Sequence, residues 1–459
     1  SLPQAPGPHG NSSPRSSIMS AATFAKETGV TLVARVAGLG LALLTSVVIA
    51  RTLGPEGTGV YTLAILFPLL VITFTNLGIG PATVYYVAQG KYAARDVFGT
   101  NVVLSAVAGL IAAALGFVFL LLFGGLAFPT VSSSYLSLAL LLVPVTMFGQ
   151  LHINQILLGS RRIADFNAAN VLYKLLLLVL VLAATVALGL GITGAIWANI
   201  LASLLLCIVL FPWVKRIAGG ISLRPRLDYV RDALTYGIKA HLGNIIGFLN
   251  YRVEVFLLGA LAPATAVGFY AVAVGLAERL WFLSESASVV LFPTVSAEKD
   301  EFKKKTFTPL VSRSILLVTA VGAAILFLIS HWVVVLLYSS QYLPAINLFR
   351  ILLPGIVFLS ADRILANDIA GRGLPLLNTY VGAVGIVVQV ALNLLWIPGL
   401  GATGAAWATS ISYGLTTAVR LWLYTRLSGN SLATVLLPQS ADWHLYRQLA
   451  QLAWSRISG

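Results

Sequence analysis

Runs of about 20 mostly apolar residues, enough to cross a bilayer as an α-helix, recur along the whole chain and dictate its class. Breaks at turn and charge clusters delimit spans near 30–50, 59–80, 99–123, 134–158, 167–188 and 194–214. A second set follows at 234–261, 267–293, 309–337, 346–370, 376–397 and 404–427. Backbone groups in hydrocarbon must be satisfied within their own segment, so the expected fold is an all-α polytopic membrane protein with twelve transmembrane helices. The 459 residues are 58% hydrophobic and 10% charged, with mean hydropathy +0.91, which no soluble globular chain of this length matches. The net charge of +14 does not point to nucleic acid, because the bases fall in short segments between spans. Cys207 is the only cysteine, so intramolecular disulfides and multi-cysteine metal centres are excluded. No nucleophile constellation or phosphate-cradling glycine loop stands out. The expectation is a non-enzyme without metal or cofactor.

The connections alternate in charge. One set carries Lys91, Arg95, Arg161, Arg162, Lys215, Arg216, Arg224, Arg226, Arg231, Lys299, Lys303, Lys304, Lys305 and Arg372. The other set, near 51–58, 124–133, 189–193, 262–266, 338–345 and 398–403, has Arg51 as its single base. The positive-inside rule puts both termini in the cytoplasm. The expected divisions are a disordered cytoplasmic lead at 1–21, six spans over 22–214, a cytoplasmic connector at 215–233, six spans over 234–427 and a tail at 428–459. In the tail, Leu445, Leu449 and Leu452 at helical spacing, with Trp443 and Trp454 near the ends, predict an interfacial helix.

The two sets of spans repeat each other. Gly-Leu-Gly-Ile-Thr-Gly-Ala-Ile-Trp-Ala at 189–198 matches Gly-Leu-Gly-Ala-Thr-Gly-Ala-Ala-Trp-Ala at 399–408, an offset of 210. Pro144 matches Pro354 at the same offset, and Gly59 and Tyr61 match Gly268 and Tyr270 at 209. Six spans per unit keep both copies in one orientation. The expectation is therefore two six-helix bundles related by a pseudo-twofold along the membrane normal, with a cleft between them.

Segment 234–261 cannot be a lipid-facing rod. It carries Lys239, His241, Asn244, Asn250, Arg252 and Glu254. A charge at the bilayer centre costs about 2.5–3.5 kcal/mol on insertion scales, so such residues need a partner or a wet cavity. Lys239, Asn250 and Glu254 fall within about 60° of one another around the helix axis. Other spans add Arg35, Lys174, Glu278, Arg279, Glu285, Asp362, Arg363 and Asp368. Structural pairing explains any one of them as readily as function does. The set contains more charge than bundle packing requires.

Several segments resemble one family. Ala50-Arg-Thr-Leu-Gly-Pro-Glu-Gly-Thr-Gly-Val-Tyr61 is similar to the first outer turn of bacterial oligosaccharide flippases. Asn76-Leu-Gly-Ile79 with Tyr85-Tyr86-Val-Ala resembles their second span. Arg252-Val-Glu254, Leu257-Leu258-Gly259, Gly268-Phe-Tyr270 and Leu291-Phe-Pro293 resemble their seventh and eighth. Ile397-Pro398 through Trp407-Ala-Thr409 resembles their end. The implied family is the polysaccharide-synthesis branch of the multidrug/oligosaccharidyl-lipid/polysaccharide exporter superfamily. The resemblance implies twelve helices in two V-arranged bundles and a polyprenyl-diphosphate-linked glycan as cargo. Asn76 stands where the family commonly has an acid, and Glu254 where it commonly has an aspartate.

A diphosphate needs Arg or Lys, and sugars need amides and water. Arg35, Lys239, Asn250, Arg252 and Arg363 are the candidate substrate contacts. Glu254, Glu278 and Asp362 are the candidates for coupling to a proton or sodium, or for holding the arginines. The expected setting is the bacterial cytoplasmic (inner) membrane, with membrane lipid, a glycan polymerase and glycosyltransferases as partners. A cation-coupled multidrug exporter would want an acidic pocket instead. A lipid-linked peptidoglycan precursor is an alternative cargo. A tag placed after Gly459 should be cleaved by added protease in inverted vesicles and protected in right-side-out ones; the reverse pattern would overturn the topology.

Overall fold

The computed structural model describes residues 21–297, 300–440, 442 and 447. The lead at 1–20 and nearly all of the expected tail helix lie outside the described residues. Every regular element among those described is helical. Before the connector these are α1 (Ala21–Thr75), α2 (Ile79–Gln89), α3 (Ala94–Ala127), α4 (Ser133–Ala139), α5 (Leu142–Thr146), α6 (Asn154–Gly159), α7 (Ile163–Val181) and α8 (Gly191–Ile217). After it come α9 (Leu227–Leu261), α10 (Ala264–Ala277), α11 (Trp281–Ala297), α12 (Glu301–Tyr338), α13 (Leu343–Gly371), α14 (Pro375–Leu400), α15 (Ala402–Ser428) and the short α16 (Leu432–Leu436). Among the described residues, nine helical stretches are long and apolar enough to cross a membrane, which makes this a multi-pass membrane protein.

Local sequence accounts for the interruptions. The first two expected spans join without a loop. Gly54, at φ 67° and ψ −179°, breaks α1, and Pro55 restarts it. Asn76 then closes the gap before α2: its side-chain amide donates to the Ile72 carbonyl and its oxygen accepts from Gly78 N–H. Pro144 lies in α5, followed by a π-helical turn over Met147–Ile153, whereas Pro354 sits inside the continuous α13. Helix α9 begins at Leu227, seven residues before the expected start of its span, so the connector is shorter than expected.

Helices α9 to α15 pack mainly on one another around α13, and α7 and α8 pack with α1. Two contacts join these groups. At one end α1 and α10 meet backbone to backbone. A Cβ on Gly59 would lie 1.8 Å from the Ala264 carbonyl oxygen, and one on Gly268 would lie 1.9 Å from that of Pro55. The four residues form two pairs at a spacing of 209, so each helix does to the other what is done to it. The same end is tied by Thr58 to the Tyr342 hydroxyl at 2.8 Å, and by Ser46 to that of Tyr338 at 3.0 Å. Arg51 caps the Leu336 and Leu337 carbonyls.

At the other end α9 docks on α2 and α3. Gly78 and Gly237 approach so closely that a Cβ on Gly78 would lie 2.2 Å from the Gly237 carbonyl oxygen. Tyr229 donates to Asn101 Oδ1 at 3.1 Å, and Asp232 accepts from Lys91 at 2.5 Å and Tyr92 at 2.7 Å. The hydrogen bonds from Lys91 and Tyr92 hold the Asp232 carboxyl below its ordinary range. This staple is present above the ordinary carboxylate range and is lost as pH falls through the lowered value.

A further paired feature involves residues on either side of the connector. Asn199 donates to the Tyr61 hydroxyl at 2.7 Å, and Tyr270 shares a hydrogen bond with Thr409 at 2.9 Å; both residues of the second pair stand 209 or 210 positions after those of the first. The glycine crossing makes a direct test. Gly59→Ala and Gly268→Ala should each lower the melting temperature in detergent, at a cost of about 1–3 kcal/mol from overpacking. Gly40→Ala, where nothing lies within 4 Å, should leave it unchanged. Equal melting temperatures for all three would refute the crossing.

Candidate functional site

Arg35 of α1, Glu285 and Ser288 of α11, and Arg363 and Asn367 of α13 line a cavity of about 400 Å³. It therefore draws on helices from both sides of the connector. Arg363 donates to Glu285 Oε1 at 2.9 Å, and its guanidinium lies 4.3 Å from the Trp281 ring centroid and 5.3 Å from that of Tyr251. Stacking on aromatic faces holds a guanidinium without consuming its donors. Asn367, one turn on, donates to Ser288 Oγ and to the Arg363 carbonyl. The Glu285 side chain is 51% exposed, so it can leave Arg363, which is 16% exposed. Arg35 has no ion-pair partner among the described residues. Two bases with movable or absent counter-ions can hold a compact anion here.

The other candidates are distributed differently. Arg252 forks onto Glu278, Nη1 to Oε1 at 2.8 Å and Nη2 to Oε2 at 3.3 Å, and Nη1 also reaches the Tyr251 carbonyl. Asp362, 3% exposed, pairs with Arg420 at 2.5 Å. Asp362 and Arg420 line a smaller cavity of about 200 Å³ together with Asn250, Tyr251, Asn378 and Tyr413; Arg252 and Glu278 do not line it. Asn250 donates to the Ile246 and Gly382 carbonyls. Glu254, 1% exposed, accepts from Gln389 at 3.0 Å, and Gln389 reaches Thr409 at 3.5 Å. Lys239 is exposed and lines neither cavity.

The structure thus brings Arg35 to Arg363, Arg252 to Glu278 and Asn250 to Asp362, and leaves Lys239 apart. Sequence reasoning missed Arg420 and Gln389, the partners of Asp362 and Glu254. Both carried a signal: each is a polar residue inside an apolar span. Trp281 and Tyr251 carried none, since aromatic residues in spans are ordinary. His241 places Nε2 3.3 Å from the Phe74 carbonyl, consistent with a structural histidine.

Residues 24–299 match the polysaccharide biosynthesis protein family, and the chain belongs to that family. It is similar to an uncharacterized membrane protein of Methanocaldococcus jannaschii, 25% identical over 205 residues, 43% of this chain and 40% of that one. It is also similar to a probable low-salt glycan biosynthesis flippase of Haloferax volcanii, 22% identical over 222 residues, 46% of each chain. The chain thus spans less than half the length of these relatives. Among solved structures, the lipid II flippase MurJ in an inward closed conformation superposes with a TM-score of 0.73 at 14% identity, covering 91% of this chain and 95% of that one. An inward-facing MATE transporter gives 0.69 at 18%, covering 85% and 94%. A Pyrococcus furiosus transporter gives 0.65 at 16%, covering 89% and 96%. The fold is that of the MOP superfamily.

The Arg252–Glu278 fork sets a test of its own. Breaking one side of a buried ion pair costs about 3–5 kcal/mol; the partial exposure here, 35% and 21% of the two side chains, lowers that figure. Arg252→Ala and Glu278→Ala should each reduce membrane abundance, and the double variant should recover most of it. If the double variant is no better than the worse single one, the two side chains do not act as a pair.

Proposed function

We infer that this protein is a flippase that moves a polyprenyl-diphosphate-linked oligosaccharide from the cytoplasmic to the outer leaflet by alternating access. The observation that carries the reading is the cavity in which Arg35 and Arg363 face one space from opposite sides of the connector, with a half-exposed carboxylate between charges that hydrocarbon penalises. A diphosphate fits two bases, Asn367 and Ser288 offer sugar contacts, and Trp281 and Tyr251 keep Arg363 extended. The lipid tail stays in the bilayer while the head group crosses. The family membership and the glycan flippase among the relatives support this cargo. A multidrug exporter for cations would not gather bases here.

In this reading the chain makes twelve traverses in two six-helix bundles over 22–214 and 234–427, with both termini cytoplasmic. The reciprocal Gly59 and Gly268 contact and the paired Tyr61–Asn199 and Tyr270–Thr409 bonds support a pseudo-twofold between them. The end where α1 and α10 cross at Gly59 and Gly268 is then the outer one, and the cavity lies toward the inner end. Arrival of the diphosphate displaces Glu285 from Arg363. The released carboxylate, together with Glu278, keeps the site from holding the anion too tightly to let it go. Glu254 and Asp362, buried among polar partners, are the groups whose protonation or cation binding would couple the cycle. Arg252 is held by Glu278 and Lys239 lines neither cavity, so neither belongs to the diphosphate site in this state. Glycosyltransferases supply the cargo and a polymerase consumes it.

The experiment is transport of a fluorescent lipid-linked oligosaccharide in proteoliposomes, with abundance measured in parallel. Arg35→Gln and Arg363→Gln should each lower the rate about tenfold or more, the loss of a charge-assisted contact, at near-normal abundance. Arg363→Lys should keep part of it. Full transport by both Gln variants would remove the diphosphate site.

A further inference from the structure

Arg350 is a base that the cavity between the bundles does not use. It sits seven residues into α13, about 10 Å from the start of that helix. Its Nε donates to the buried Ser330 at 2.9 Å, and its guanidinium lies 4.9 Å from the Phe327 ring. It has no carboxylate partner among the described residues, and its two amino groups remain free to donate. Below it runs a groove of about 480 Å³ between α12 and α13, lined by Ala324, Phe327, Leu353, Pro354 and Phe358. Phe327 is 45% and Phe358 50% exposed, so the groove opens on the outer surface of the helices. An unneutralised guanidinium in hydrocarbon is costly, and among the described residues no carboxylate neutralises this one.

The first half of the chain supplies a contrast. A groove of about 620 Å³ flanks Pro144, 210 residues before Pro354, and it too is almost wholly apolar. The position 210 residues before Arg350 is Leu140. Prolines 210 residues apart flank the two grooves, and only one groove has a base at its head.

We propose that the α12–α13 groove is a binding site for an anionic glycerophospholipid, whose phosphodiester pairs with Arg350 while an acyl chain lies along Pro354 and Phe358. A single fork matches the single charge of a phosphodiester; a diphosphate has two bases waiting in the cavity between the bundles. From Arg350 to Phe358 the helix descends about 12 Å, a path that an acyl chain follows into the hydrocarbon. Long basic side chains reach toward head groups in this way near helix ends.

The test is native mass spectrometry of the full chain released from nanodiscs of phosphatidylcholine doped with phosphatidylglycerol. The wild type should retain phosphatidylglycerol over phosphatidylcholine. Arg350→Gln should lower that preference about tenfold, and Arg350→Lys should keep part of it. Ala324→Trp keeps the charge and fills the groove, so it should also lose the retained lipid; it serves as the decisive variant if Arg350→Gln does not fold. Glycerol 3-phosphate should not compete, because the site needs the chain as well as the phosphate. Unchanged preference in either Arg350→Gln or Ala324→Trp would overturn the proposal. Stronger retention of a polyprenyl phosphate than of phosphatidylglycerol would overturn the choice of occupant.

Discussion

Two helices that touch without side chains between them organise this protein. At Gly59 and Gly268 the backbones of α1 and α10 come so close that a single methyl group on either would collide with a carbonyl oxygen. In hydrocarbon, close packing of this kind is what holds helices together, since lipid tails match apolar side chains in hydrophobicity. The crossing draws the two parts of the chain together at one end. Toward the other end, cavities lined by residues from both sides of the connector persist between them. The close approach of Gly78 and Gly237 joins the same two groups at that other end.

The charges follow from the same constraint. A bilayer tolerates an ionised group only when something answers it, and the described structure answers most of them by name. Arg252 has Glu278, Arg420 has Asp362, and Arg313 has Asp442. Three other bases are placed differently. Arg363 shares a carboxylate that is half in solvent, while Arg35 and Arg350 have no acid at all among the described residues. The first two line one cavity that draws on both sides of the connector, and the third heads an apolar groove between α12 and α13. One rule, that charge in a membrane seeks a counter-charge, underlies both the diphosphate and the phospholipid proposals.

The family level of the reading was legible because its signals are local. Apolar runs, turn clusters and the repeated Gly-Leu-Gly segments need no tertiary knowledge. The reciprocal contact of Gly59 with Ala264 and Gly268 with Pro55 falls on the very anchors that the repeat singled out. The site was legible only in part. Arg35, Arg252, Glu278 and Arg363 stood out as charges in spans, but their grouping did not. Arg252, expected to face an anion, turns both amino groups to Glu278, whereas Glu285, not among the expected site residues, is the half-exposed partner of Arg363.

What the sequence by itself determined is the one-dimensional part: the all-helical class, the long spans, the alternation of charged loops and the internal repeat. Hydropathy and charge act over one helix length, so they can be read along the chain. What only the tertiary structure decided is which charges neutralise one another and which are left facing a cavity. Arg363 and Glu285 are 78 residues apart, and Arg350 and Ser330 are 20 apart on neighbouring helices. Periodicity gives the face on which a residue lies, but not the helix that face meets. That depends on how α1, α10 and α13 cross, and the crossing is set by small residues whose message in sequence is only the absence of a side chain.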